Sequence, residues 1–467
     1  MVKTRKVGGI VLYSACDGLT GLRRFGNCEF FLICGDEDKN IGLAEDVIAQ
    51  YTNTKRTNIL INAFVESGTN VKFLESVMKS EDRSANIELR CIDEIALFCN
   101  HLIYNHPLYD TKGNGKDISV VIVGCGRTGM RMLKTVYWAG QIDGYSLKIR
   151  VYDRKAEKCR DRFYQQCPGL KEEKAIEFIT ANVDSASFEE ELLKNSGDAT
   201  YILVAMDNDQ LNLTVADRLY QIYRRHFNFR EERMPEIFAR VRSQAKTDSL
   251  FYNASFLEER NIHLFGTTKS VFSDKTLFDT DLENLAFAVH LTYWDSLELD
   301  RHSEEYAQIR KNFRTGEYNR RSSMAVALHF PAKLCMCDKI ESTGGNLLTP
   351  ENLKIYAECV ASDDDFRHRL AVAEHVRWNA FMLSEGYRPA TAQQMHQYAE
   401  AVDSHKDDLS MVHPCITGWD ELDALEEVYN ATYGQSKEFK KYDKLIVEKL
   451  PEIWAVAQQM NGADENV

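Results

Sequence analysis

The sequence predicts an α/β chain with parallel sheets in tandem, followed by an all-α C-terminal domain. Three observations carry this. A glycine-spaced turn, Gly124-Cys125-Gly126-Arg127-Thr128-Gly129, stands between an apolar run and a helix-patterned one. Short apolar runs alternate with helical patterns on both sides of that turn, the cadence of parallel strands joined by helices. From about residue 281 the apolar spacing becomes helical, and no further strand cadence appears.

In chain order, Phe30-Phe31-Leu32-Ile33-Cys34, Asn58 to Val65 and Ile87-Glu88-Leu89-Arg90-Cys91 read as strands of a first α/β segment, residues 1–110. Before them stands only a short run, Val11-Leu12-Tyr13. Gly8-Gly9 and the Gly18 to Gly21 stretch read as ordinary turns and not as a phosphate loop. The segment is therefore expected to be a degenerate half-domain that packs on the next as a pseudo-dimer partner; loss of residues upstream is the alternative. Thr111 to Asp117, polar and holding two glycines, reads as a flexible linker.

Residues 117–280 form the second α/β segment. Ile118-Ser119-Val120-Val121-Ile122-Val123 is its first strand, and Met130, Leu133, Val136 and Tyr137 give the following helix a buried stripe. Gly124 allows the tight turn, Gly126 lets a pyrophosphate approach the backbone, and Gly129 lets helix and strand pack closely, with the helix N-terminus facing the anion. The next strand, Leu147 to Asp153, ends in an acid able to accept ribose hydroxyls, while Arg154 and Lys155 after it can accept a 2′-phosphate. This is a Rossmann-like dinucleotide pattern. The alternative is a fold of this kind whose glycines serve packing only. The site is predicted from Gly124, Gly126, Arg127, Thr128, Gly129, Asp153 and Arg154, together with Asp184, Met206, Asp207 and Arg240.

The strand cadence returns at Tyr201 to Ala205, Ile237 to Val241 and Ile262 to Phe265. Leu32 to Asp38 parallels Leu203 to Asp209; Ala63, Val65 and Ser67 parallel Ala239, Val241 and Ser243; Asn86-Ile87 parallels Asn261-Ile262. Nearly constant spacing between these matches implies an internal duplication, with Arg224 to Met234 as an inserted surface loop.

Residues 281–345 read as a helical connector, with a stripe of Leu282, Leu285, Ala286, Val289 and His290 followed by Trp294, and a loop at Ser342 to Asn346. Arg320-Arg321-Ser322-Ser323 precedes a helix-like run, Met324 to Phe330, that Pro331 is expected to end. That places either an anion site or an ordinary N-cap at the two serines. Residues 346–467 read as a separate helical domain. It offers Trp378, Trp419 and Tyr387 with Arg377, Arg388, Lys406 and His413, aromatic faces for a nucleobase and cations for phosphates. Aromatics at helical spacing equally make a core. Glu374 and His375 are adjacent and so face different ways.

A hydrophobic content of 44% suffices for such cores, and 467 residues suit about three domains on a ~150-residue norm. The formal net charge of −14 argues against a general nucleic-acid or anionic-membrane binder. The twelve cysteines are scattered, several inside apolar strands, and form no CxxC pair; they read as buried thiols of a reducing compartment. No metal site and no catalytic constellation is read from the sequence. Met1 to Lys6 lacks a signal-peptide core and no apolar run reaches the ~18 residues of a membrane span, so a cytoplasmic location is expected.

Residues 118 to 270 resemble the TrkA-N, or regulator-of-potassium-conductance, branch of Rossmann domains, through Gly124 to Gly129 with arginine after the second glycine, the Asp153 strand end and Asp207 to Asn212. The second half of the pattern recurs in 27 to 108. The resemblance implies a cytosolic regulatory domain that binds NAD, ATP or another adenine nucleotide and pairs with a second copy, here as a homodimer. This chain departs from it in showing no channel segment. Residues 366 to 455 resemble a prokaryotic ryanodine-receptor-repeat domain, through Leu370 to Asn379, Glu385-Gly386-Tyr387, Lys406-Asp407-Asp408, His413-Pro414-Cys415, Trp419 to Leu422 and Tyr442-Asp443; Tyr387 stands where that family often has tryptophan. That family implies a small helical module for nucleotide-like ligands. Together the two imply a nucleotide-sensing regulator with a nucleotide-derived small-molecule ligand, in bacterial signalling or phage defence. Two alternatives are an NAD(P)-dependent oxidoreductase and a cytosolic gating subunit of a separate membrane channel. Against the oxidoreductase, the only Tyr-x-x-x-Lys matches, Tyr51 with Lys55 and Tyr433 with Lys437, lie outside the glycine-loop domain.

Overall fold

The structure, a computed structural model, describes residues 28–33, 36–51, 58–65, 74, 87–109, 115–242, 254–267, 281–341, 347–391, 394, 407, 410–433 and 437–463. The expected strand Val11 to Tyr13, the glycine turns at 8–21, the core of the linker, Ser67, Asn86, Ser243, the loop Ser342 to Asn346 and Lys406 lie outside them. The chain divides into two compact units: residues 1–97 with 299–320, and residues 98–298 with 321–467.

In the first unit β1 (Cys28–Leu32), β2 (Ile59–Phe64) and β3 (Ile87–Ile92) form a parallel sheet in that order. Between β1 and β2 runs α1 (Glu37–Tyr51), whose Ala44, Val47, Ile48 and Tyr51 are spaced i, i+3, i+4, i+7 and are all buried with the strand residues Ile59, Ile61 and Ala63. The helix α2 (Glu94–Asn105) follows β3 and the unit boundary falls within it.

The second unit holds a six-stranded, wholly parallel sheet. Its elements are β4 (Asp117–Val123), α3 (Arg127–Ala139), β5 (Ser146–Asp153), α4 (Ala156–Gln166), β6 (Ile176–Thr180), α5 (Phe188–Ser196), β7 (Tyr201–Val204), α6 (Asp209–His226), β8 (Glu236–Arg240), α7 (Ala254–Glu259) and β9 (Ile262–Phe265). The strand order is β6-β5-β4-β7-β8-β9. The chain thus winds outward from β4 to β6, then returns to the other side of β4, which makes the β4–β7 edge a topological switch point. The central strand β4 is buried from Ile118 to Val123 and apolar there except for Ser119, as a strand covered on both faces must largely be.

The architecture β7-α6-β8-β9 repeats β1-α1-β2-β3, and paired hydrogen bonds fix the correspondence. Asn40 Nδ2 donates to Phe64 O at 2.9 Å, and Asn212 Nδ2 donates to Arg240 O at 2.9 Å. Both asparagines are buried. Val65 N–H donates to Ile92 O at 3.0 Å, as Val241 N–H does to Phe265 O at 3.0 Å. Leu32 pairs with Ala63 and Val204 pairs with Ala239. The equivalent of Leu32 is therefore Val204, not the Leu203 of the sequence match, and Asp36 corresponds to Asn208, each accepting a backbone N–H at the start of its helix. In the last strand Ile92 answers to Phe265, two residues from the register that the Asn-Ile match implied.

The helical region comprises α8 (Asp281–Tyr293), α9 (Glu304–Thr315), α10 (Glu317–Leu328), α11 (Phe330–Cys335), α12 (Pro350–Ser362), α13 (Asp364–Ser384), α14 (Glu421–Tyr433) and α15 (Lys441–Ala463). A two-residue parallel pair, β10 (Arg388–Pro389) with β11 (Val412–His413), is set among them. The segment read as one connector is divided: α8 packs along α15 in the second unit, while α9 packs on β3 in the first. The expected N-terminus at Arg320 to Ser323 is not there. Those residues lie inside α10, with Ser322 and Ser323 buried, and Pro331 sits in the first turn of α11, where a missing N–H costs nothing. Among the described residues no helix is long and apolar enough to cross a membrane.

Candidate nucleotide site

The glycine loop leaves β4 at the switch point. Gly124 has φ +95°, which favours glycine, and a Cβ there would also meet Met206 Cγ at 2.8 Å. A Cβ on Gly129 would lie 2.0 Å from Gly124 O, so only a glycine lets α3 come this close to the strand end. Gly126 differs from both. Its Cβ direction meets only Asp207 Oδ1, at 3.4 Å, and its φ of −70° suits any residue. Backbone geometry thus requires two of the three glycines, and the third borders open space.

Gly126 is also the N-cap of α3, and no side chain caps that helix. Among the described helices of eight or more residues, α3 alone has no acid in its first turn. Its first residue is instead the exposed cation Arg127. A cation there opposes the helix dipole, and the first-turn N–H groups of a helix have no partner within the helix, so the two features together suit an anion. A second guanidinium joins it: Arg162 on α4 donates from Nη2 to Cys125 O at 2.6 Å.

Around this turn the strand ends assemble the other predicted residues. Asp153, ending β5, accepts from Cys125 N–H at 2.9 Å and from Lys155 N–H at 2.7 Å, which stiffens the loop and leaves its second lone pairs for hydroxyl donors. The guanidinium of Arg154, just after β5, is held by Asn182, at 2.9 Å, and by Asp184, both beyond β6. Met206 has its N–H and carbonyl both bonded to the Asn212 side chain, at 2.8 and 3.0 Å, while Asp207 lies next to Gly126. Arg240, ending β8, is buried over the Phe98 ring at 5.3 Å, and Thr128 is buried in the first turn of α3. Burial pushes the flanking thiols, Cys125 and Cys159, above the ordinary range, which disfavours their thiolates.

Of these residues, Arg162 was not named from the sequence, and Asn212 only as the end of the Asp207 to Asn212 motif. No spacing signals the arginine, which approaches the loop from a separate helix. The asparagine was legible, since aligning Asn40 with Asn212 sets the repeat in its correct register.

The helix α3 is buried on two sides. Leu133 and Val136 belong to the expected stripe, but Met132, Thr135 and Trp138 are buried as well. The second side meets α13: Trp138 packs edge-on to Phe381 with centroids 6.2 Å apart, and Arg131 lies 3.9 Å from Glu385, which also binds Arg321. Cys167 Sγ donates to Ser384 O at 3.2 Å, and Leu383 and Tyr387 O border Gly169. The helix that follows the glycine loop is thereby clamped between the sheet and the helical domain.

Within that domain the residues proposed as a ligand cage separate. Arg377 is wholly buried: Nε and Nη2 donate to the Glu374 carboxylate at 2.9 and 2.7 Å, and Lys333 Nζ lies 2.6 Å from the same carboxylate. It therefore does not reach an exposed phosphate, contrary to the expectation. Burial would raise the pKa of Glu374, but Arg377 and Lys333 outweigh it and hold the carboxyl down at about 2. Trp419 is buried with Ala371, Cys415, Leu422 and Leu425, and the half-buried Trp378 packs against that cluster. His375 stacks on Trp378 and meets Trp419 edge-on, both at 5.8 Å. His413 meets the edge of Trp378 at 5.0 Å. His375 faces Asp443 and Thr417 O, each at 3.0 Å, while Glu374 turns inward, so the two neighbours do point different ways. Tyr387 is buried, and Arg388 is exposed on β10.

Comparison with known proteins assigns no family: no family model matches the chain, and no curated protein or solved structure matches it.

Proposed function

We propose that the chain is a nucleotide-responsive regulator: the glycine loop takes NAD or another adenine nucleotide, ATP included, and α3 passes the bound state to the helical domain. The observation that carries this is the uncapped, acid-free N-terminus of α3, set at the switch point beside Gly126, Arg127 and Arg162. In this reading the α3 amides and the two arginines hold a pyrophosphate or phosphate group, and Asp153 accepts the ribose hydroxyls. The Arg154 guanidinium is already engaged by Asn182 and Asp184, which favours a free 2′-hydroxyl over a 2′-phosphate.

Coupling follows from the clamp on α3. A ligand that draws the first turn toward itself acts on a helix whose other side is fixed to Phe381, Ser384 and Glu385 through its neighbours. The aromatic cluster is left out of the ligand site, since Trp419 closes a core. Pairing of two copies as a homodimer remains part of the proposal on the resemblance alone. Hydrogen exchange tests the coupling. With NAD or ATP, slower exchange is expected both at residues 125–131 and at 381–387. Protection confined to the loop refutes the coupling.

A further inference from the structure

We propose that His106, Glu236 and His263 bind one divalent transition-metal ion of the zinc class, at a site separate from the glycine loop. Their ligand atoms all lie within 4.8 Å of one another, and among the described residues no other group of three such side chains does so. His106 Nδ1 is 3.6 Å from Glu236 Oε2, and the two imidazole centroids are 4.7 Å apart. A tetrahedral zinc ion with ligands at ~2.0–2.2 Å needs its donor atoms roughly 3.4 Å apart; the His106–Glu236 pair already stands near that spacing, and side-chain rotation has to bring His263, whose ligand atom lies within 4.8 Å of theirs, the rest of the way.

Three separate elements bring the donors together. His106 follows α2, Glu236 opens β8, and His263 lies on β9, paired with Phe238. Phe238 backs both rings, edge-on to His106 at 4.9 Å and stacked on His263 at 5.2 Å, and is itself stacked on Tyr201 at 4.5 Å. The Tyr201 hydroxyl donates to His106 O at 3.2 Å and fixes that backbone. The donors are thus positioned by packing and do not depend on a flexible loop. All three are half-buried, which limits competition from water yet leaves a way in. Two neutral imidazoles and one carboxylate are an open ligand set, with a fourth position for water or another donor. Glu236 and Arg240 occupy opposite ends of β8, about 13 Å apart, so this site lies at the amino ends of the strands and the nucleotide site at their carboxyl ends.

The test uses the full chain, stripped by a chelator and titrated with Co²⁺, then Zn²⁺. One Co²⁺ per chain is expected, with the visible d–d absorption of a four- or five-coordinate ion, no thiolate-to-cobalt charge-transfer band, and displacement by Zn²⁺. Glu236→Gln and His263→Asn should each weaken binding by at least about tenfold and abolish the metal-induced rise in melting temperature. Absent binding, a thiolate band, or undiminished affinity in both variants overturns the proposal. If a variant does not fold, the wild-type spectrum decides: a faint six-coordinate spectrum or a thiolate band overturns it.

Discussion

Replacing Gly129 by alanine separates the packing role of the loop from its proposed binding role. The new Cβ would stand 2.0 Å from Gly124 O, 3.0 Å from Gly124 C and 3.6 Å from Ile122 Cγ2. An ordinary C···O contact is about 3.3 Å or more, so a shift of more than about 1 Å is needed. The obstructing atoms are backbone, in a turn already fixed at φ +95° and tied to Asp153 through Cys125 N–H. Nor can α3 simply recede, since Trp138 on its far side packs against Phe381. The cost should reach the upper end for overpacking, about 3 kcal/mol. Gly126→Ala is the control: with Asp207 Oδ1 at 3.4 Å as its only near neighbour, it should change stability by no more than about 0.5 kcal/mol. Denaturant unfolding followed by near-ultraviolet circular dichroism compares the two. Equal stability of the Gly129 variant and the wild type would refute close helix–strand approach as the reason for this glycine.

Two further outcomes concern the helical domain. Glu374→Gln leaves Arg377 and Lys333 buried without their carboxylate and should destabilise by about 3–5 kcal/mol in thermal or urea unfolding. Because the folded pKa of Glu374 is depressed to about 2, its contribution is complete above the ordinary carboxylate range and is lost as pH falls toward 2; acid melts of wild type and variant should therefore converge at low pH. Trp419→Ala should cost about 3–5 kcal/mol of stability as a core truncation and leave nucleotide affinity unchanged. A loss of affinity worth about 1–3 kcal/mol with little change in stability would instead restore the aromatic cage.

The parallel sheets and the helical C-terminal region were legible because local patterns encode them: apolar runs of strand length, one glycine turn and a change of period. The register of the repeat was harder. Asp36 and Asp207 match by identity, yet the ladders and the buried Asn40 and Asn212 set the copies one residue apart, because hydrogen-bond geometry and not side-chain identity defines equivalence. The second buried side of α3 was hidden in the same way. The stripe of Met130, Leu133, Val136 and Tyr137 left Met132, Thr135 and Trp138 unassigned, and only α13 supplies the partner for that side. Arg377 looked like a ligand cation since charge is visible in sequence, while burial against Glu374 and Lys333 is not. His106, Glu236 and His263 share no spacing, and only the fold brings them together.

Isothermal titration calorimetry with NAD and with ATP on wild type and Gly126→Asp tests the central claim most directly. Aspartate is a favoured N-cap, so the variant should fold and melt like the wild type, while its carboxylate takes the space and the amides that the proposal gives to the phosphate. The expected result is binding of at least one of the two nucleotides at one per chain in the wild type, and none in the variant. Absence of binding to the wild type, or equal affinity in both proteins, would contradict the account.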